Sequence, residues 1–574
     1  MQYSQGAVST VSMRRSKFDL SHGVKTSLSV GTLVPVDVQE VLPGDTFIQH
    51  ETHVARLTSA YALPVMDNVF LDTYSFFVPL RLLYDDSENV FGVAEPSEYV
   101  QSERGEFPTL PASTVTSGSI ADYMGLPVTP TGKKIPKGAS VLPFRAFALI
   151  YNEWFRNENV QQSTYVQKGE FASIEALNSE PWSQSNYTGM PPKITKKKDY
   201  FTACLPSPQK GEPVSFSFGD KANLVFPFSD KKNPQDGTWL KVDNMPPALR
   251  SGDTNISFRW IDAIGYDLKN AYLTANNLGF TGYKDNGDTP ANPNNNTAYT
   301  YLGVNSNNSY ADLSNVTAIN VNDLRFAFQL QKMYEKDARY GTRYREYILG
   351  HYGVSNADAR MQIPEFLGGR RTPLNTQAIA QTSAGQNVTP LGTIGGTSHS
   401  VGKSRYVKSF TEHGYVITVM AIRQLHTYQQ GIEKMWFRKE RNDFYDPLFA
   451  NLGEQPVYDT QLYGYGTDSS PELGQGDVFG YQEYGAEYRY RPSFITGQMR
   501  SGVENSLDAY HFGDYYDNAP TLSPTFINET AEYFDRTVKV PSESQDNFAL
   551  DIWFDVKAVR VMPMYSVPGL IDHH

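Results

Sequence analysis

The sequence predicts a mainly β protein, an antiparallel Greek-key sandwich with long loop insertions and a few helices. Three observations carry this. Apolar and polar residues alternate with a period of two near both ends of the 574-residue chain, as in half-buried strands. Aromatic residues make up 13% of it, with 37 Tyr and 32 Phe, a composition suited to pleated, half-covered surfaces. Turns are amply supplied by 44 Gly and 35 Pro, which together with the aromatics describe an ordered, loop-rich β protein.

The first alternating run is SLSVGTLVPVDVQEVLPGD, with Leu28, Val30, Thr32, Val34, Val36 and Val38 on one face. Pro35 cannot donate a ladder hydrogen bond, so the strand is expected at a sheet edge or broken there. Leu42-Pro43-Gly44-Asp45 reads as the turn that follows. In VFLDTYSFFV, Phe70, Tyr74, Phe76 and Val78 share one face while Val69, Leu71 and Phe77 supply the other. A strand apolar on both faces has to be covered on both. From Leu142 to Val160 the spacing becomes helical, through Phe144, Phe147, Tyr151, Trp154 and Phe155, so this helix is expected to supply the second cover.

Between Pro206 and Asn322 the chain is dominated by turn-forming sequence such as GYKDNGDTPANPNNNTAYTYLGVNSNNSY, which belongs on an exposed projection. A helix is then expected with Asn322 as N-cap, Leu324, Ala327, Phe328 and Tyr334 on one stripe, and Gly341 as its stop. A second short helix follows in TRYREYILGHYG. YVKSFTEHGYVITVMAIRQ reads as a strand pair bending at Gly414, and the tract from Asn442 to Pro541 as mostly loop. The last strand, FALDIWFDVKAVRVM, puts Phe548, Leu550, Ile552, Phe554 and Val556 on one face, with Ala549, Asp551, Trp553, Asp555 and Lys557 on the other. In a Greek key the returning strand lies beside the first, so it is expected to pair with SLSVGTLVPVDV.

The net charge of −12 argues against a surface that embraces nucleic acid everywhere, because phosphate binding requires a local excess of Lys and Arg. Small basic patches remain at Arg14, Arg15 and Lys17, at Lys196 to Lys198, and at Arg370 and Arg371. One cysteine, Cys204, leaves no internal disulfide framework or cysteine-based zinc cluster and reads as a packed thiol. The start lacks the apolar core of a signal peptide and no run approaches the length of a membrane span, so synthesis in a cytoplasm is expected.

Chemistry is sparse. GGTSHSVGKS misses the phosphate-loop spacing, with five residues between Gly396 and Gly402 and Thr397 where the first Gly would stand. His50 and His53 fall on opposite faces of a strand and are expected as exposed polar residues rather than metal ligands. Asp285 and Asp288 lack the calcium-loop pattern, and Asp67 and Asp72, five apart, point to opposite faces. No catalytic, cofactor or metal site is predicted, and the chain is not expected to be an enzyme.

Four stretches together carry a resemblance: KTSLSVGTLVPVDVQEVLPGDTF, PVMDNVFLDTYSFFVPLRLLYD, LPFRAFALIYNEWFRNEN and LRFAFQLQKMYEKDARYGTRYREYILGHYGV, extended by DYFTACLPSPQKG and PMYSVPGL. The sequence resembles the major capsid proteins of gokushoviruses, small tailless single-stranded DNA phages of the Microviridae. The resemblance implies an eight-stranded antiparallel jelly-roll barrel with long loops, sixty copies of which form a T=1 icosahedral shell around circular single-stranded DNA. It divides the chain into residues 1–205, the first part of the barrel with the helix near 142–160; residues 206–322, an insertion projecting at the three-fold axes; and residues 323–574, the second part, with helices over 323–351 and loops that grip neighbouring copies. Arg14, Arg15, Lys17, Arg370 and Arg371 are then candidates for contact with DNA, and Asn292, Asn294, Asn295, Asn296, Tyr299 and Tyr301 for contact with a host receptor. Minor or pilot and internal scaffolding proteins would be further partners, and the protein would reside in the virion after synthesis in the bacterial host. A phage spike or adhesin and a carbohydrate-binding β-sandwich are the alternative readings, the latter suggested by aromatic, Asp-rich loops such as GDYYDNAP.

Overall fold

The computed structural model of the chain describes residues 14–91, 105–170, 176–214, 321–341, 343–380, 392, 394–467 and 470–565, together with the short strands Asn223–Val225, Ile256–Ile261, Asp267–Leu273 and Tyr310–Asp312. Two compact units result: Met1–Glu212 with Lys332–His574, and Pro213–Gln331. In the second, Ile256–Ile261 pairs with Asp267–Leu273 and Asn223–Val225 with Tyr310–Asp312, both antiparallel.

Among the described residues the two main sheets of the first unit use ten strands: β1 (Ser16–Asp19), β2 (His22–Leu28), β3 (Leu33–Val41), β4 (Thr46–Leu57), β5 (Val69–Pro79), β6 (Glu365–Leu374), β7 (Thr376–Ala380), β8 (Ile394–Ser409), β9 (Gly414–Gln424) and β10 (Phe548–Arg560). They form two antiparallel sheets. One has the order β1-β10-β4-β8-β7, with β2 also on β10; the other has the order β6-β5-β9-β3. Among the described residues the sheets face each other without closing into one barrel.

The last strand does return to the first, but not along the whole predicted run. Phe548 pairs with Leu28 and Ile552 with Val24 on one side, while Phe548 pairs with Leu57 of β4 on the other. Beyond Leu28 the expected single strand is two. The chain turns at Ser29–Thr32, where Gly31 has φ +84°, and β3 begins in the opposite sheet. Val34 and Val36 therefore meet Leu550, Ile552 and Phe554 across the core instead of beside them. Each such side chain contributes roughly 1.5–3 kcal/mol on burial. Pro35 does lie on an edge strand, next to a bulge where β9 skips Val36.

The expected pair bending at Gly414 is also split. Its halves are β8 and β9, which belong to different sheets; the crossing is tied by the Phe410 amide donating to the Asp45 carbonyl at 2.8 Å. Here Gly414 opens β9, where a Cβ would press on the Phe77 ring. The turn before β4 forms as read, with Gly44 at φ +89° and the Asp45 amide donating to Leu42.

Strand β5 is covered on both faces. Leu71 enters the core between the sheets, while Phe76 and Val78 pack on helix α1 (Leu142–Ile150). The helix continues as a π-type turn, Tyr151–Phe155, that sets Trp154 and Phe155 against Phe76 at 5.4 and 5.9 Å between ring centroids. It stops five residues short of Val160 because the Asn157 side chain caps the Asn159 amide and Gln161 accepts from the Asn157 amide. Helix α2 (Val321–Tyr340) starts one residue before the expected cap, so Asn322 lies in its first turn. Gly341, at φ +105°, ends it as predicted; of the stripe, Ala327 is buried but Phe328 is exposed. Helix α3 (Tyr344–Tyr352) follows. The tract after β9 is mainly irregular, yet its Tyr428, Phe479 and Phe526 form a separate core with Tyr200 and Phe201 from before β6.

Candidate functional site

The predicted basic residues separate into two groups. Arg14, Arg15 and Lys17 are exposed, and Lys17 lies on β1 opposite Val559. Arg370 is exposed midway along the edge strand β6, donating to the Lys403 carbonyl at 3.3 Å and lining a shallow pocket with His50, Glu51, Lys403 and Arg405. Its neighbour Arg371 is engaged: its Nε and Nη2 donate to the two oxygens of buried Asp72 at 2.7 and 2.8 Å. Asp72 also accepts from Arg423 Nε at 2.7 Å, and its hydrogen bond holds the Arg371 guanidinium pKa above the ordinary arginine value. The residues Asn292, Asn294, Asn295, Asn296, Tyr299 and Tyr301, like Asp285 and Asp288, lie outside the described residues.

Lys196 is not the surface patch that the run Lys196 to Lys198 suggested. It is buried, with Nζ 3.2 Å from Asp514 Oδ2 and 4.8 Å from the Phe526 ring centroid. Around it His426 Nδ1 lies 2.7 Å from Asp514 Oδ1, His426 Nε2 lies 3.1 Å from Glu529 Oε1, and Tyr516 donates to Asp514 at 2.8 Å. Burial alone would lower the His426 pKa, but the Asp514 and Glu529 carboxylates outweigh it and hold the value up at about 10. For Asp514 burial works upward, and the cations His426 and Lys196 outweigh it to hold the carboxyl well below its usual range. A His-Asp pair invites a catalytic reading. Both ring nitrogens here are occupied by carboxylates in a buried site, so no nitrogen is left to exchange a proton with a substrate. The cluster instead joins four distant parts of the chain, which is why no local motif announced it.

His53 corrects a second expectation. It is fully buried, with Nδ1 2.5 Å from Glu51 Oε1, while His50 on the other face is exposed. The tract GGTSHSVGKS lies within β8, and a Cβ at Gly402 would collide with the His53 ring and the Thr372 hydroxyl. That glycine serves close packing of two sheets rather than a phosphate. Cys204 is buried as expected, and burial pushes its thiol pKa far up, away from nucleophile chemistry. Among the described residues no His, Cys, Asp or Glu cluster is suited to a metal ion.

The irregular tract instead leaves many apolar side chains open. Met435, Trp436, Phe444, Tyr445, Leu448, Phe449, Leu452, Tyr488, Tyr490 and Phe494 all stand open on the irregular tract after β9, with Leu448 86% exposed. Monomeric soluble proteins rarely leave this much aromatic surface to water; such patches mark contact surfaces. A family model described as capsid protein (F protein) matches residues 6–570.

The chain belongs to this capsid-protein family. It is 37% identical to capsid protein VP1 of Chlamydia phage 1, over 98% of this chain and 97% of the relative. It is 35% identical to capsid protein VP1 of Spiroplasma virus 4, over 97% and 95%, and 36% identical to that of Bdellovibrio phage phiMH2K, over 99% and 98%. The gokushovirus resemblance is thus established over nearly the whole chain. Membership in the capsid family points to a structural role in a phage virion, consistent with a buried His-Asp pair closed to substrate. Among the described residues no helix is long and apolar enough to cross a membrane.

Proposed function

We propose that this chain is the major capsid protein of a T=1 icosahedral shell, sixty copies of which enclose circular single-stranded DNA. The family match over residues 6–570 carries the reading. The strand order supports it: β2-β10-β4-β8 facing β3-β9-β5-β6 is consistent with an eight-stranded jelly roll of two Greek keys, to which β1 and β7 would add edges. Long excursions between β5 and β6 and between β9 and β10 leave aromatic surface that a single copy does not cover, and neighbouring copies are its natural cover. Synthesis belongs in the host cytoplasm, and minor and scaffolding proteins join the shell there. The test is expression followed by negative-stain imaging. Closed particles in the megadalton range are expected; protein that stays monomeric or trimeric under all assembly conditions would favour a spike instead.

Two variants locate the parts. Replacing Trp436 and Leu448 together with Asp should leave the melting temperature within a few degrees, because both side chains are open to solvent, yet abolish particles in the same images. Deleting residues 280–308, between the strands Asp267–Leu273 and Tyr310–Asp312, should leave particle yield intact and lower adsorption to host cells by at least tenfold. This follows from assigning residues 206–322 to a projection that meets the host, and a plaque assay with adsorption counts reads it out.

A further inference from the structure

The face of the β1/β2-β10-β4-β8 sheet that looks away from the core carries more positive than negative side chains. Alternation along the strands puts Lys17, Asp19 and Lys25 on this face, with Asp551, Trp553, Asp555 and Lys557 from β10, His50, Thr52 and Arg56 from β4, and His399, Val401, Lys403, Arg405 and Val407 from β8. Six Lys or Arg face three Asp there, an excess of positive charge on a chain whose net charge is −12. The three aspartates are already occupied. Lys557 lies 2.5 Å from Asp19 and 3.2 Å from Asp555, and Lys25 lies 3.6 Å from Asp551. Lys17, Arg56, Lys403 and Arg405 have no carboxylate partner among the described residues, so their charge is available to an outside anion.

The register arranges these groups in rows. Trp553 pairs with Thr52, and Thr52 with Lys403, which sets the indole and the ammonium on either side of Thr52, about 10 Å apart at the usual strand spacing. One row on, Asp555, His50 and Arg405 lie side by side; toward the other end, Ala549, Arg56 and His399 do. Trp553, 53% exposed, stands near the middle, with Gly23 of β2 beside it giving the ring room and Val401 and Val407 open on β8. An antiparallel sheet with one solvated face is ordinary, and scattered Lys and Thr would need no partner. Unpaired cations in rows around an open indole are a different pattern. They match the way single-stranded nucleic acid is held, with phosphates on Lys and Arg and bases on an aromatic face.

We propose that this open sheet face is a binding platform for single-stranded DNA, with Trp553 stacking on a base and Lys17, Arg56, Lys403 and Arg405 contacting phosphates. Arg370, which shares the pocket of His50, Lys403 and Arg405, extends the platform at its edge. The proposal rests on the shell reading for the source of the strand, whereas the surface chemistry stands on this face itself. It also moves the main nucleic-acid contact from Arg371, held by Asp72, to the strands that carry free cations.

The experiment uses the full chain before assembly and fluorescein-labelled oligothymidylate of about thirty nucleotides, read by anisotropy across a salt series. Binding with a negative salt slope is expected. Replacing Arg56, Lys403 and Arg405 together with Ala should weaken it and flatten the slope by about two, since each lost single-strand phosphate contact removes about 0.7. Trp553→Ala should weaken binding about tenfold with the slope unchanged, the signature of lost stacking. Cross-linking of bromodeoxyuridine oligonucleotides to the unaltered chain, mapped by mass spectrometry, removes dependence on how the variants fold; adducts at Trp553 and neighbouring β4 and β8 peptides are expected. The proposal is overturned by absent binding, by adducts confined to other surfaces, or by binding of anionic phospholipid vesicles without binding of oligonucleotide. Particle formation by the same preparation reports separately on the shell, so a chain that assembles but ignores DNA strikes this inference alone.

Discussion

Asp514→Ala should destabilise the protein by about 3–5 kcal/mol, because it strips the shared counter-ion from Lys196 and His426 while leaving both buried. Asp514→Asn should cost nearly as much: the amide preserves shape but not charge, and its NH2 must face either the Lys196 ammonium or the His426 ring, leaving donor against donor at one of the two. Urea or thermal unfolding of the variants checks this, with unfolding rates compared if refolding is incomplete. The same cluster sets a pH window. His426, raised from 6.5 to about 10, contributes fully below about pH 6.5 and loses that contribution as pH rises through 10. The lowered Asp514 contributes fully above its ordinary value of 3.8 and loses that contribution as pH falls through its folded value. Stability of the parent should therefore fall off on the acid side below about pH 4, and this limb should be flatter in Asp514→Ala.

That cluster also shows where the sequence stops being informative. Period-two alternation located β3, β5 and β10 because half-buried strands write their exposure into neighbouring residues, and the helical spacing of Phe144, Phe147 and Tyr151 announced the cover on β5 for the same reason. Pro35 marked an edge, since a missing amide can be tolerated only where no partner needs it. Contacts between distant residues leave no such trace. Lys196 looked like one of three solvated lysines, and only the fold brings Asp514, His426 and Glu529 to it. His53 read as exposed because alternation fixes which residues share a face, not which face is inside; its partners Glu51 and Gly402 decide that. The split of SLSVGTLVPVDV was equally hidden. Alternation continues unbroken through Leu28, Val30, Thr32 and Val34, and the break is a backbone event at one glycine. The basic face was legible only in fragments, since Lys17, Arg56, Lys403 and Trp553 become neighbours through register alone.

Gly31→Ala tests that backbone event, and an effect of roughly 2–5 kcal/mol is expected from two additive causes. At φ +84° an L side chain pays for a left-handed conformation, and a Cβ built there would lie 2.8 Å from the Glu529 carbonyl carbon and closer still to its oxygen. Neither neighbour can yield cheaply. The Gly31 amide donates to the Ile422 carbonyl at 2.9 Å and its carbonyl accepts from Ile194, while the Glu529 amide donates to the Ile194 carbonyl at 2.8 Å. Moving this loop would drag on the end of β9 and on the Glu529 side chain that holds His426. Ala at the nearby Ser29, which lacks a positive φ, is the control: it loses the hydroxyl bond to Asp546 Oδ1 at 2.8 Å and should cost only about 1 kcal/mol. A melting temperature for Gly31→Ala no lower than that of Ser29→Ala would mean that the crossing between sheets tolerates a side chain, and that the glycine does not decide where β2 gives way to β3.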